Sequence, residues 1–410
     1  MGEIMIKNLD SILSTNVRRM KRSAIRELLK LVNNPDIISF AGGLPAPESF
    51  PIEELKEIAN DVLENDGTKV LQYGATEGDP LLREQLVKMY QKTGHKVTTD
   101  NLIVTTASQQ ALDLIAKVFI SPGDKVIVGL PSYLGGLSAF NSYGADMIGI
   151  PLDEKGMSAE LLEAKLAELK KADDLPKFIY IIPDFQNPAG ITMPESRRLE
   201  ILEIVHKYDI LIIEDSPYRE LRFEGEQQKT MYQLDGTEQV ILLGTFSKIF
   251  VPGFRIGWVL GNPQVLDKIV IAKQATDLCT PPFNQRIAAR YLERGLLEVN
   301  VKKIIKMYRS KRDIMMEALE ANMPEGVSWT NSEGGLFTLM TLPEYINTNE
   351  LIKDAIKEEN VAFVAGSSFF CDGSGTNTLR LNFSYASEEK NLEGVKRLAN
   401  VIKKEINKHK

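Results

Sequence analysis

Val240-Ile-Leu-Leu-Gly-Thr-Phe-Ser-Lys-Ile-Phe-Val-Pro-Gly-Phe-Arg-Ile-Gly-Trp258 begins as a continuous apolar run and then turns polar. A run with no polar alternation reads as a strand buried on both faces, which places helices on both sides of a mostly parallel sheet. The run delivers Lys248 just past the end of that strand, with Thr245 and Ser247 before it and Arg255 after it. A lysine so placed loses its proton cheaply and attacks carbonyls as a neutral amine. The hydroxyls and the arginine suit a phosphate, which an arginine grips bidentately. The alternative is a surface lysine in a basic loop, so the rest of the chain has to decide.

Leu102-Ile-Val-Thr105, Lys125-Val-Ile-Val128, Phe178-Ile-Tyr-Ile-Ile182 and Ile210-Leu-Ile-Ile213 are further apolar runs with helical stretches between them, such as Gln109 to Phe119 and Pro194 to Tyr208. The pattern predicts an α/β architecture. Past residue 285 a long helical stretch, Asn284 to Asn322, leads to Gly334-Gly-Leu-Phe-Thr-Leu-Met340, a helix from Thr348 to Glu358, a strand with its loop over 361–370, the strand Thr378 to Phe383 and a closing helix from Ser387 to Lys404. That order predicts a smaller α+β domain. The expected division is an arm over 1–52, whose helix Ser23 to Val32 packs on the small domain and the substrate site, a large domain over 53–300 and a small domain over 301–410.

At 410 residues with 43% hydrophobic and 26% charged residues, the composition is that of a soluble globular protein of about two domains. A net charge of −7 disfavours a nucleic-acid partner, and no apolar run approaches the ~20 residues of a membrane span. Cys279 and Cys371 form no disulfide framework, which fits the cytoplasm. His95, His206 and His409 have no second ligand at metal spacing, so no metal site is expected.

Functional groups of such sheets collect past the carboxyl ends of the strands. Ser108 and Gln109 lie there, where a helix start can cradle a phosphate or Ser108 can serve as a plain N-cap. Tyr133 follows the next run, as a stacking ring or as core. Asn187 precedes Pro188 and reads either as a turn or as a hydrogen-bond donor to a ring oxygen. Asp215 follows Ile210 to Glu214. A carboxylate at the end of a buried strand needs a cationic partner, for which a protonated pyridine nitrogen would serve, or else Asp215 or Ser216 caps a helix.

In this order, with Lys248 on the next strand, these motifs resemble a fold-type I, class I aminotransferase dependent on pyridoxal 5′-phosphate (PLP), from about residue 15 to the C-terminus. The resemblance implies the PLP-dependent transferase fold type I. It assigns catalysis to Lys248, Asp215 and Tyr133, with Lys248 as the Schiff-base lysine and Asp215 as the partner of the pyridine nitrogen. Asn187 and Tyr218 match the contacts to the ring hydroxyl, and Ser108, Gln109, Thr245, Ser247 and Arg255 the phosphate contacts. Tyr73 matches a tyrosine that reaches the phosphate of a neighbouring subunit, which implies a homodimer. Arg380 matches the arginine that grips the substrate α-carboxylate. Ala107 departs from the glycine that many relatives carry before Ser108.

The segment from Ser23 to Pro51 is similar to the 2-aminoadipate/kynurenine aminotransferase branch. There Arg26 matches an arginine that meets distal carboxylates, against an exposed helix arginine paired with a glutamate, and Gly43 matches a loop glycine approached by substrate. The expected function is ping-pong transfer of an amino group from an L-amino acid to a 2-oxo acid such as 2-oxoglutarate. A PLP lyase or synthase of the same fold would share the cofactor residues. An aminotransferase-like regulator would carry an added DNA-binding domain.

Overall fold

The computed structural model describes residues 8–20, 22 and 36–409. The predicted helix Ser23 to Val32, and with it Arg26, lies outside the described residues.

The centre is an eight-stranded sheet in the order β2, β9, β8, β7, β6, β3, β4, β5. Its strands are β2 (Leu102–Thr105), β3 (Lys125–Leu130), β4 (Asp146–Asp153), β5 (Gly156–Met157), β6 (Phe178–Ile181), β7 (Leu211–Asp215), β8 (Val240–Thr245) and β9 (Gly257–Leu260). Strands β4, β3, β6, β7 and β8 are parallel, with Tyr180 opposite Ile213 and Asp215 opposite Leu243. Alternate side chains serve two cores. Val126, Val128, Phe178, Tyr180 and Ile213 face one, and Ile127, Ile179 and Ile212 face the other. The second core is closed by Leu162 and Leu166 of the helix Ala159–Lys171 and by Ile201 and Val205 of Glu195–Tyr208.

The sheet is mostly parallel, as expected, with β9, the run after Arg255, antiparallel to both its neighbours. One expectation needs correction. The single helix expected from Asn284 to Asn322 is two, Pro282–Glu293 and Leu296–Asn322, parted by Gly295 at φ 69°. A residue in the left-handed region ends a helix, and glycine enters that region without a steric penalty.

The helices Ile52–Val70 and Pro80–Lys92 precede the sheet. Pro80 starts the second at a position where its missing N–H costs nothing, and the Asp79 carboxylate accepts from the amides of Leu81 and Leu82.

A four-stranded antiparallel sheet lies further along the chain, from β10 (Ser328–Trp329), β11 (Phe337–Thr341), β13 (Val364–Ala365) and β14 (Thr378–Asn382). Arg380 of β14 stands opposite Leu339 and Val364. The early segment reaches this region through β1 (Ile38–Ser39), which pairs in parallel with β12 (Val361–Ala362), and Phe40 continues the ladder by donating to the Ala362 carbonyl. This brings Ala41 and Gly43 to the carboxyl edge of the large sheet.

Candidate active site

Parallel strands end together, so their carboxyl-end residues share one edge. β9 runs the other way and begins at that edge. Gly257 stands opposite both Thr105 of β2 and Thr245 of β8. A Cβ on Gly257 would lie 2.5 Å from the Ala107 carbonyl carbon and 2.6 Å from the Ser108 nitrogen. The bare backbone there is what lets the start of the helix Ala107–Phe119 approach the loop after β8. The helix begins with Ala107, at φ 62°, and Thr106 holds the N-cap position. Ser108 is therefore not the N-cap but the second helical residue, among first-turn amides that lack intrahelical partners. Across the loop the Thr245 hydroxyl lies 2.9 Å from that of Ser247 and donates to the Ile256 carbonyl. Arg255 is exposed beside them. Gln109 is exposed as well, and its amide donates to the Gly135 carbonyl.

Lys248 donates from Nζ to the Gly43 carbonyl at 2.8 Å. Burial, and then the charges of Arg380 and Arg255, push its pKa down to about 8, against a smaller opposing pull from Asp215. The proton is thus held far more loosely than on an ordinary lysine, as suits a group that must act as a nucleophile or proton acceptor in its neutral form.

Asp215, 2% exposed, ends β7 with no helix behind it, so the capping alternative falls. Its Oδ2 accepts from the Tyr180 hydroxyl at 2.7 Å, while Oδ1 is buried without a partner among the described residues. Burial raises its pKa to about 6, against the opposing effects of Tyr180 and Lys248.

Asn187 bridges two elements. Its Nδ2 donates to the Tyr218 hydroxyl at 3.3 Å, and its Oδ1 accepts from Arg380 Nη1 at 2.9 Å. Arg380 also donates from Nη2 to the Ala41 carbonyl at 2.7 Å, and its Nε has no partner among the described residues. The guanidinium lies between two rings, 4.1 Å from the centroid of Phe337 and 5.0 Å from that of Phe369. Tyr133 is half-buried, and a Cβ at Gly135 would sit 2.5 Å from its ring. Tyr73 is apart from this cluster in character, 79% exposed.

Sequence reasoning missed Tyr180, Phe337 and Phe369. Tyr180 carried a signal: it is the one polar-tipped side chain in its apolar run, and a buried tyrosine hydroxyl seeks a partner. The two phenylalanines carried none, since they lie on separate elements that only the fold joins.

The family model for aminotransferase class I and II matches residues 35–398. The chain belongs to that family. Aromatic-amino-acid aminotransferase 1 of Thermococcus litoralis is 50% identical over 390 residues, spanning 95% of this chain and 93% of that one. The 2-aminoadipate transaminase of Thermus thermophilus is 40% identical over 388 residues, 94% of this chain and 95% of that one. The crystal structure of a Pyrococcus horikoshii kynurenine aminotransferase, in complex with PMP, superimposes with a TM-score of 0.94 at 48% identity, covering 98% of this chain and 99% of that one. The protein is a PLP-dependent aminotransferase of fold type I, and these matches favour that activity over the lyase, synthase and regulator alternatives.

The residues present fit the cofactor. The unpartnered, buried Asp215 Oδ1 asks for a cationic donor, and a protonated pyridine nitrogen is one. The Lys248 amine, whose proton is held loosely, suits capture of an aldehyde. When bound, PLP supplies an electron-withdrawing ring that takes up the electron pair left as a substrate Cα–H bond breaks.

Proposed function

We propose that the protein transfers the amino group of acidic, aromatic and large apolar L-amino acids to 2-oxoglutarate or a similar 2-oxo acid. The observation that carries this reading is Arg380. It is buried, aromatic-flanked and tied to Asn187 and Ala41, with one guanidinium nitrogen unpaired among the described residues, in the cluster that holds the Lys248 amine. A buried arginine of this kind is a carboxylate receptor, indifferent to the side chain beyond Cα. The names of the relatives, which span aromatic amino acids, 2-aminoadipate and kynurenine, support breadth on the side-chain side.

In this reading Lys248 anchors the cofactor and moves the substrate Cα proton, and Asp215 holds the proton of the ring nitrogen. Asn187 and Tyr218 donate to the ring oxygen, Tyr133 stacks on the ring, and Ser108, Gln109, Thr245, Ser247 and Arg255 hold the phosphate. The Gly43 backbone approaches the substrate. The working unit is a cytoplasmic homodimer in which Tyr73 completes the partner's phosphate site. The division into an arm over 1–52, a large domain over 53–300 and a small one over 301–410 is supported by the separation of the two sheets along the chain.

Arg26 meets the distal carboxylate of acidic substrates. A carboxylate shielded from water needs a cationic partner, whereas an apolar side chain does not. A panel of amino donors with 2-oxoglutarate tests both arms. Arg380→Ala should raise KM for every donor, by the ~10- to 100-fold that loss of a charge-assisted pair implies. Arg26→Ala should impair glutamate and aminoadipate far more than leucine or phenylalanine. Equal losses for acidic and apolar donors would assign Arg26 to the scaffold alone.

A further inference from the structure

Asp215 and Tyr180 stand on neighbouring parallel strands, and the register explains why they meet. Tyr180 of β6 lies opposite Ile213 of β7, and Asp215 is two residues on, so all three project from the same face of the sheet. A tyrosine is long enough to reach that diagonal neighbour. Its ring is fully buried, with Phe140 edge-on at 5.3 Å and 77°. Gly136 lies against it so closely that a Cβ there would come within 2.9 Å of the ring. Packing thus fixes the ring and aims its hydroxyl, which makes the 2.7 Å contact to Oδ2. A phenol donating to a carboxylate is a charge-assisted bond, and one so well buried favours the anion.

We infer that Tyr180 is a positioning residue for Asp215: its hydroxyl engages Oδ2 and holds the carboxylate in one orientation, so that Oδ1 is the oxygen left to meet the ring nitrogen of PLP. The inference rests on the reading of Asp215 as the partner of that nitrogen. By stabilising the anion, Tyr180 also keeps the shared proton on the ring rather than on Asp215. Burial works in the opposite direction, raising the carboxyl pKa, and the bond from Tyr180 is the largest influence set against it. Tyr180 itself stays a neutral donor, because burial holds its own pKa well above the ordinary phenol value.

The test is the nitrogen-15 resonance of the holoenzyme reconstituted with PLP labelled at the pyridine nitrogen, recorded at neutral pH. Tyr180→Phe keeps the ring and its packing and removes one oxygen. The resonance should move toward the unprotonated position, and kcat should fall about tenfold with KM unchanged, as befits loss of one hydrogen bond to a charged group. Phe140→Leu loosens the packing that aims the hydroxyl but keeps the hydroxyl itself, and should move the resonance much less than Tyr180→Phe does. Asp215→Asn should move it furthest. An unmoved resonance in Tyr180→Phe beside a moved one in Asp215→Asn overturns the role of Tyr180 and leaves the cofactor reading standing. A shift in Phe140→Leu as large as in Tyr180→Phe assigns the effect to packing and equally overturns it. An unmoved resonance in Asp215→Asn removes Asp215 as the partner, and Tyr180 with it.

Discussion

Lys248 suits the proposed chemistry because its surroundings make a proton expensive to hold. Desolvation disfavours the ammonium, and the nearby positive charges of Arg380 and Arg255 disfavour it further. The folded-state pKa is lowered below the ordinary 10.5 to about 8, so the neutral amine predominates above about pH 8 instead of above 10.5. The sign for stability follows. Between these values the unfolded chain binds the proton that the folded apoprotein does not, so apoprotein stability rises with pH across that window. Competitive acetylation of the apoprotein, read peptide by peptide, should give Lys248 a half-maximal modification near pH 8. A midpoint as high as that of the exposed lysines would contradict the argument. The position of this lysine was legible in the sequence because a run of buried strand residues stops just before it. The hydrogen bond to the Gly43 carbonyl was not, since 205 residues separate the two and only the fold brings them together.

Elements explain how the helix start at Ala107 comes to face the loop after β8. The parallel strands β3, β6, β7 and β8 were readable one by one from apolar runs, but β4 was not, because aspartates end it and a proline interrupts it, nor was β9, because four residues carry no direction and antiparallel insertion is decided by neighbouring strands. Its consequence is local: β9 starts at the carboxyl edge of β2 and β8, and Gly257 lets the backbone of Ala107 and Ser108 close onto it. A side chain at Gly257 would meet backbone atoms at 2.5 and 2.6 Å, which no rotamer change relieves. Gly257→Ala should therefore destabilise the protein by about 2 kcal/mol and weaken PLP retention. Denaturant unfolding measures the first and equilibrium dialysis the second. Unchanged values for both would mean that the close approach is not required. The break at Gly295 was open to sequence reasoning, since a glycine inside a helical pattern is a signal, but periodicity alone carried the helix through it. Ala107 shows the converse. Here an alanine occupies the left-handed region at φ 62°, a conformation that glycine adopts freely.

The molecule as a whole assembles its site from distant parts: loops after β2, β3, β6, β7 and β8, the segment around Gly43, and Arg380 from the second sheet. Which strands belong to which sheet followed from the change of pattern past residue 285, whereas the contact of the early segment with both sheets depends on tertiary pairing. The proposed dimer places Tyr73, 79% exposed in the single chain, at the partner's phosphate site. Sedimentation should find a dimer at assay concentrations, and Tyr73→Ala should weaken PLP binding without unfolding the chain; an active monomer would contradict this. Borohydride reduction of the intact holoenzyme followed by peptide mapping should find a single pyridoxyl group, on Lys248, that is absent once the enzyme has first been converted by an amino acid donor. A pyridoxyl group on any other lysine, or one on Lys248 that persists after the donor, would remove Lys248 as the lysine that holds PLP.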